Sequence, residues 1–432
     1  MNVDIQNNQA RITVSFIENG GVTSAKGFKA SGVHAGFRAN PDRKDLALVV
    51  ADEPCATAAV FTQNVFCAAP VRFSKHQLEA SSGNPGYGCM RVVVINSGNA
   101  NAATGTHGLE VAQAEVEIVG DALGCPSGEV LVASTGVIGV ELPLRPFEEG
   151  IAPAVEALSE EGGVDAAHGI MTTDTYPKQC AARCEFELTD GVAHTFTVGG
   201  MAKGSGMIMP NMATMIAVIT TDAPIADIDL HSALTQATSV SFNKVTVDSD
   251  TSTNDTCILM ASGAASSSGL TQQDFVKGSL AYDAFVQALS SVCTKLARDM
   301  AKDGEGATKL VTVDVVGAKN EADADLAARA VANSPLVKTA IAGCDANWGR
   351  IAAALGKSGA VFSQENVDID IMGMPVCRKG LTQEFDEDEA LRKFEDPEIK
   401  IFVDLGEGEA STTVWTCDLT HDYISINADY RS

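Results

Sequence analysis

One stretch of the sequence has residue types that could support nucleophilic chemistry, and it runs from Lys203 to Asp222 as KGSGMIMPNMATMIAVITTD. Within it, Pro210-Asn211 is typical of a turn, and the apolar run Ala213–Thr221 that follows predicts a buried strand. Thr214 is therefore expected at the beginning of a core strand. Its hydroxyl is either a core-facing side chain or a nucleophile, and the local pattern leaves both interpretations open.

The nucleophile interpretation needs a base beside the hydroxyl, because a secondary alcohol is a weak nucleophile by itself. Cleavage of the peptide bond between Ala213 and Thr214 would supply one, since the new α-amino group has a reference pKa of about 8. The same hydroxyl could attack the preceding carbonyl, so that maturation and catalysis use the same groups. Gly204, Gly206 and Pro210 could hold this bond in a bent geometry.

Three other polar stretches could contribute to a site. The predicted strand Val130–Ala133 runs into STGVIG at 134–139, which could present a hydroxyl and a backbone N–H side by side, as an oxyanion hole requires, or form an ordinary glycine turn. The sequence TTDT at 172–175 suits an amino-acid ligand and suits a capped turn equally well. The run DSDTSTNDT at 248–256 is either a solvated loop or the lining of a polar site.

The composition excludes several classes of function. The net charge of −26 opposes binding to nucleic acid or to an anionic membrane. Eleven cysteines without C-x-x-C spacing, and seven separated histidines, favour neither a disulfide framework nor a metal site. Neither dinucleotide fingerprint is present, and neither a signal peptide nor a membrane-spanning run is recognisable. We expect a cytoplasmic enzyme of small metabolites.

Hydrophobic periodicity predicts a mixed α/β fold. A helix is predicted from about His107 to Leu123, and another carries the stripe Phe285, Leu289, Val292, Leu296 and Met300. SGNAN at 97–101 is predicted to be a loop after the strand Arg91–Ile95. Further strands are expected at Leu46–Ala51, Thr57–Phe61, Val245–Val247, Leu310–Val316, Val367–Met372, Ile399–Leu405 and Ala410–Thr416. The last stretch, which Tyr423–Ile426 closes, is expected to be β-rich.

Motifs along the whole chain resemble the ArgJ family, the glutamate N-acetyltransferases or ornithine acetyltransferases of arginine biosynthesis. The resemblance begins with the processing-site motif KGSGMIMPNMATMIAVITTDA. It continues, in the order of the family, through GVTSAKGFKASGVHAGFR, VVVINSGNANAATG, STGVIG, IMTTDTYPKQ, SFNKVTVDSDTSTNDT, DGEGATKLV, VKTAIAGCDANWGRIAAALG and INADYRS.

This resemblance implies a fold and an assembly. The fold would be similar to that of the DmpA-type aminopeptidases, an α-β-β-α sandwich with two β layers between helices. Self-cleavage between Ala213 and Thr214 would give an α chain, 1–213, and a β chain, 214–432, with a smaller C-terminal α/β region from about 310 to 432. The cleaved chains would assemble as an α2β2 heterotetramer.

The resemblance also implies roles for individual residues. Thr214 would be the nucleophile that carries the acetyl group, and Thr135 and Gly136 would form the oxyanion hole. Substrate would be contacted by Thr173 (with Thr172 as its close rival), Lys203, Thr214, Glu305, Asn427 and Ser432.

The implied reaction moves an acetyl group from N2-acetyl-L-ornithine to L-glutamate without a cofactor. The family divides over whether acetyl-CoA also serves as donor, and the sequence leaves this open. The alternative is an N-acyl hydrolase or aminopeptidase on the same self-cleaving scaffold, in which water takes the acyl group.

Overall fold

The computed structural model describes residues 3–7, 10–188, 191–209 and 215–429, with the backbone alone described at 3–7, 10–11 and 267–268. The first sheet contains β1 (Val3–Asn7), β2 (Ala10–Ile17), β3 (Phe28–Val33), β4 (Leu46–Phe61), β5 (Tyr87–Asn99), β6 (Val130–Val137), β7 (Lys178–Glu187), β8 (Ala193–Lys203), β9 (Ile216–Thr221) and β10 (Thr256–Ala261). The accompanying helices are α1 (Ala69–Ser82), α2 (Gly105–Leu123), α3 (Arg145–Glu156), α4 (Gly163–Gly169), α5 (Asp227–Val240) and α6 (Leu280–Lys302).

The first sheet has the strand order β1-β2-β7-β8-β9-β10-β4-β5-β6, with β3 paired to β4. It folds over because β4 bends. The pairing of β4 with β5 shifts register between Val50 and Cys55, where Asp52, Glu53 and Pro54 are exposed. A bulge of this kind lets one strand pass from one layer to the next. The sequence predicted two separate strands here, at Leu46–Ala51 and Thr57–Phe61, whereas the structure has one long strand.

Strand alternation separates three hydrophobic cores around this folded sheet. In β9, Ile216 and Val218 face an inner core between the two halves of the sheet, whereas Ala217 and Ile219 face an outer core covered by α5 and α6. In β5, by the same alternation, Val93 points to the inner core and the neighbouring residues point to an outer core covered by α2 and α3. The layers are therefore helix, sheet, sheet and helix, as expected.

The second sheet has its own core. Its strands are β11 (Leu310–Ala318), β12 (Asp368–Ile371), β13 (Met374–Arg378), β14 (Leu381–Thr382), β15 (Glu398–Asp404) and β16 (Ala410–Cys417), in the order β14-β13-β12-β15-β11-β16. The helices of this part are α7 (Glu321–Ala332), α8 (Pro335–Ala342), α9 (Trp348–Gly356), α10 (Glu387–Lys393) and α11 (His421–Asp429). One predicted strand is absent from these elements, since Val245 makes only an isolated bridge to Trp415. Tyr423–Ile426, which closes the stretch predicted to be β-rich, lies in α11.

The longest helix, α6, shows why the periodic stripe was informative. Ser279 caps its N-terminus by accepting a hydrogen bond of 3.1 Å from the backbone N–H of Tyr282. All five residues of the predicted stripe are completely buried against the first sheet. Among the described helices, none is long and apolar enough to cross a membrane.

We predict that Phe285→Ala destabilises the protein by about 3–5 kcal/mol, because truncating a buried phenylalanine leaves a cavity. Phe285 is completely buried and packs with Phe196 and Phe275, at ring-centroid distances of 5.8 and 6.4 Å. The melting temperature of the purified variant measures the effect. Val276→Ala is the control, since Val276 is 48% exposed and should leave the melting temperature near that of the wild type.

Candidate active site

A pocket of about 770 Å³, including its part open to solvent, lies at one end of the folded sheet. The end of β6, the end of β8 and the residues just before β9 and β10 meet there. Its lining includes most of the predicted site residues, namely Thr135, Gly136, Thr172, Thr173, Lys203, Glu305 and Asn427. These residues are far apart in sequence, and the fold brings them together in one wall.

Gly136 is required by the backbone at the end of β6. Its φ of +136° belongs to a region that side chains rarely adopt, and a Cβ there would lie 2.3 Å from the carbonyl carbon of Gly98 in β5. The parallel pairing of β5 with β6 produces this close approach. Thr135, one residue earlier, also lines the pocket. The Thr135 hydroxyl and the Gly136 N–H therefore belong to neighbouring residues of the pocket wall, as the predicted oxyanion hole requires. The role of this pair as an oxyanion hole stays a prediction.

Lys203 ends β8 and is 8% exposed. Its Nζ lies 3.4 Å from Oγ1 of Thr135. Burial lowers the pKa of Lys203, while the carboxylates of Asp174 and Asp255 oppose this change. The lysine thus presents a poorly solvated positive charge to the pocket, which favours an anionic group of a ligand.

Glu305 supplies the opposite charge. Its carboxylate Oε2 accepts a hydrogen bond of 2.7 Å from Nδ2 of Asn427, on α11, and its backbone N–H donates to the carbonyl of Ser205 at 3.0 Å. Gly206 leaves room for this carboxylate, because a Cβ on that residue would lie 2.4 Å from it. A pocket with one lysine and one glutamate suits a ligand that carries both a carboxylate and an ammonium group.

Thr172 and Thr173 both line the pocket, so the choice between them stays open. Thr172 is the more buried, and its backbone N–H donates to Oδ2 of Asp174 at 2.9 Å. Its carbonyl accepts a hydrogen bond of 2.7 Å from Nη2 of Arg43. These contacts fix the backbone of Thr172 in the loop. Thr173 is the more exposed of the two, and it stays our predicted substrate contact.

Three predicted residues, Ala213, Thr214 and Ser432, lie outside the described residues. Met215, the residue that follows Thr214 in the chain, is described and lines the pocket. Its carbonyl accepts a hydrogen bond of 2.8 Å from the backbone N–H of Thr256.

The sequence analysis did not single out the individual residues of the segment 252–255, which forms another part of the wall. Nδ2 of Asn254 donates to the carbonyls of Ala100 and Ser134, at 2.6 and 2.8 Å, and so ties this segment to the ends of β5 and β6. Asp255 is buried, and burial raises the pKa of its carboxyl group well above the usual value. Within the described residues its Oδ2 has no hydrogen-bond partner. The only signal in the sequence was the density of hydroxyl and carboxyl groups from 248 to 256.

We predict that Gly206→Ala raises the KM for N-acetylornithine, the substrate that the sequence resemblance implies, at least tenfold, because the new methyl group must displace the Glu305 carboxylate without removing it. Steady-state kinetics at several substrate concentrations measure the change. Gly128→Ala is the control, since a Cβ at Gly128 meets no atom within 4 Å. An unchanged KM in the Gly206 variant would show that the position of Glu305 does not affect substrate binding.

Comparisons with known proteins match one family over almost the whole chain. The profile described as the ArgJ family matches residues 29–432. An arginine biosynthesis bifunctional protein ArgJ of Symbiobacterium thermophilum is 48% identical over 414 residues, which cover 96% of this chain and 99% of the relative. Another, of Chlorobaculum tepidum, is 48% identical over 411 residues, covering 94% and 96%.

One similar solved structure is an ornithine acetyltransferase of Mycobacterium tuberculosis complexed with ornithine. It is 40% identical, covers 47% of this chain and 100% of that chain, and has a TM-score of 0.40. On the extent of the profile match and on the identity to both bifunctional relatives, this chain belongs to the ArgJ family.

Proposed function

We propose that this protein transfers the acetyl group of N2-acetyl-L-ornithine to L-glutamate, as an N-terminal-threonine acetyltransferase of arginine biosynthesis. The observation that carries the proposal is the composition of one pocket. Lys203, Glu305 and the pair Thr135-Gly136 line it together with Met215, the residue after Thr214. The family of the chain, and the names of its bifunctional relatives, support the same reaction.

The first half of the reaction would acetylate Thr214. Cleavage after Ala213 would free the α-amino group of Thr214, which takes the proton of the Thr214 hydroxyl as the oxygen attacks the acetyl carbonyl. The hydroxyl of Thr135 and the N–H of Gly136 would stabilise the oxyanion of the tetrahedral intermediate. The C–N bond then breaks, the ammonium of Thr214 returns the proton to the leaving nitrogen, and ornithine departs.

The second half would run the same steps in reverse with a different amine. The α-amino group of glutamate attacks the acetyl ester of Thr214, and the same oxyanion hole would serve the second intermediate. Collapse restores the threonine hydroxyl and releases N-acetylglutamate. One acetyl group is conserved through the cycle, so no external donor is needed.

Charge complementarity supports our pairing of the two charged groups of the acetyl donor with residues of the pocket. N-acetylornithine carries one carboxylate and one free ammonium, and the pocket offers one lysine and one glutamate for them. Lys203 would pair with the carboxylate, and Glu305 with the ammonium, while Asn427 keeps the Glu305 carboxylate in place through their 2.7 Å hydrogen bond. Thr173 and Ser432 complete the set of proposed substrate contacts.

The assembly and the location are part of the same proposal. The α chain, 1–213, and the β chain, 214–432, would form an α2β2 heterotetramer in the cytoplasm. We propose no cofactor, and acetyl-CoA is the one further co-substrate to be tested. The hydrolase alternative is not favoured, because the curated relatives are named for arginine biosynthesis.

The proposed nucleophile makes a direct prediction. Wild-type protein should give two fragments by intact mass spectrometry, ending at Ala213 and beginning at Thr214. Thr214→Ala should remain uncut and lose at least a thousandfold in turnover, since both steps need its hydroxyl. Thr220→Ala is a matched control within the same apolar run, and it should be cut normally because Thr220 donates to the carbonyl of Val22 away from the pocket. An uncut wild-type chain with full activity would refute the mechanism.

The proposed acceptor makes a second prediction. Release of ornithine from N-acetylornithine should depend on added glutamate, because the acetyl ester of Thr214 accumulates without it. A single burst of ornithine, stoichiometric with enzyme, is expected when glutamate is absent. Continuous release at the same rate with and without glutamate would identify a hydrolase. Replacing N-acetylornithine by acetyl-CoA in the same assay tests the second donor.

A further inference from the structure

Three ionisable side chains lie buried behind the pocket wall. Asp174, Lys178 and Asp303 have side chains that are 1, 0 and 3% exposed. Nζ of Lys178 lies 2.6 Å from Oδ1 of Asp174 and 2.5 Å from Oδ2 of Asp303. Because burial of an unpaired charge is costly, this arrangement must be electrically balanced.

Asp174 ties two parts of the pocket wall together. Its Oδ2 accepts the N–H of Thr172 at 2.9 Å, and its Oδ1 accepts the N–H of Gly204 at 2.8 Å. Gly204 directly follows Lys203, so the second bond sets the path of the chain where the lysine leaves β8. Hydrogen bonds to an ionised carboxylate are stronger than neutral ones, and they hold both segments in one relative position.

Asp303 ties a third part to the same cluster. Its carboxylate accepts the N–H of Thr175 at 3.0 Å, and its carbonyl accepts Oγ–H of Ser205 at 2.7 Å. The carbonyl of Ser205 in turn accepts the N–H of Glu305. The turn after Lys203 is therefore held from both sides, by Asp174 and by the segment that carries Glu305.

The three groups of the cluster do not balance in charge by themselves, since two aspartates and one lysine leave one negative charge. Lys203 is a nearby cation: burial opposes the change, but Lys178 and then Lys203 hold the pKa of the Asp174 carboxyl below its usual value. The charged groups that act on Lys203 are Asp174 and Asp255, which favour its charged form, and Lys178 and Arg38, which oppose it. Glu305 lines the same pocket. Of the two carboxylates, Asp174 acts on Lys203 more strongly than Asp255 does.

We propose that Asp174 is a positioning residue that acts through Lys203: it holds the turn after the lysine and divides its negative charge between Lys178 and Lys203. The consequence for catalysis rests on the proposed function, in which Lys203 binds the carboxylate of the substrate. Asp174 itself does not line the pocket.

The test is a titration of Lys203 in the full-length protein labelled with 13C-lysine, followed by NMR at the carbon next to Nζ. The Lys203 signal is assigned by its loss in Lys203→Arg. In Asp174→Asn, which keeps the shape of the side chain, the pKa of Lys203 should fall and its proton affinity should drop at least about tenfold, since an opposite charge has been removed. In Lys178→Met the pKa should rise, because Asp174 no longer shares its charge.

Asp303→Asn is the matched control. It removes a charge from the same buried cluster, but the Asp303 carboxylate binds Lys178 and the N–H of Thr175, whereas Asp174 binds the N–H of Gly204, next to Lys203. The pKa of Lys203 should therefore fall less than in Asp174→Asn. An unchanged titration in Asp174→Asn, or an equal shift in Asp303→Asn, would overturn the proposal. Should Asp174→Asn fail to fold, the double variant Asp174→Asn/Lys178→Met, which removes one charge of each sign, is compared with Lys178→Met: a lower pKa of Lys203 in the double variant supports the proposal, and an equal pKa contradicts it. Because the titration needs no turnover, failure of the proposed reaction would appear separately, in the wild-type assay.

Discussion

The structure depends on strands that are buried on both faces. β9 and β10 lie side by side and parallel, and every residue of both is buried. Alternate side chains enter different cores, so a one-residue slip would exchange the contents of the two cores. This constraint holds the beginning of β9, and hence the backbone next to Thr214, in a defined register. Met215, which follows the proposed nucleophile in the chain, is therefore held by the packing of the whole sandwich.

The pocket combines this rigid backbone with buried charge. Lys203, Asp174, Lys178 and Asp303 are mostly withdrawn from water, and charges in that position must compensate one another. Asp174 links the charge balance to the geometry of the wall, because its Oδ1 pairs with Lys178 and also accepts the N–H of Gly204, while its Oδ2 accepts the N–H of Thr172. Geometry and electrostatics of the pocket are thus controlled by the same side chains.

Sequence periodicity predicted the elements whose residues face a single core. The stripe from Phe285 to Met300 is buried in α6, and the predicted helix at 107–123 is α2, Gly105–Leu123. It was less successful where pairing overrides the local pattern. Ser97–Asn99, predicted to be a loop, belongs to β5 because β6 pairs with it as far as Asn99. Val245–Val247 has the composition of a strand but bridges a neighbour only at Val245.

The sequence by itself determined the type of chemistry, through motifs whose order along the chain resembles the ArgJ family, and the mixed α/β class, through hydrophobic periodicity. Those properties depend on residue type and local spacing, which the sequence contains directly. Only the tertiary structure decided that Lys203, Glu305 and the Thr135-Gly136 pair share one pocket, and that Asp174 joins Thr172 to Gly204. Contacts between residues so distant in the chain follow from strand pairing and core packing, which periodicity does not specify.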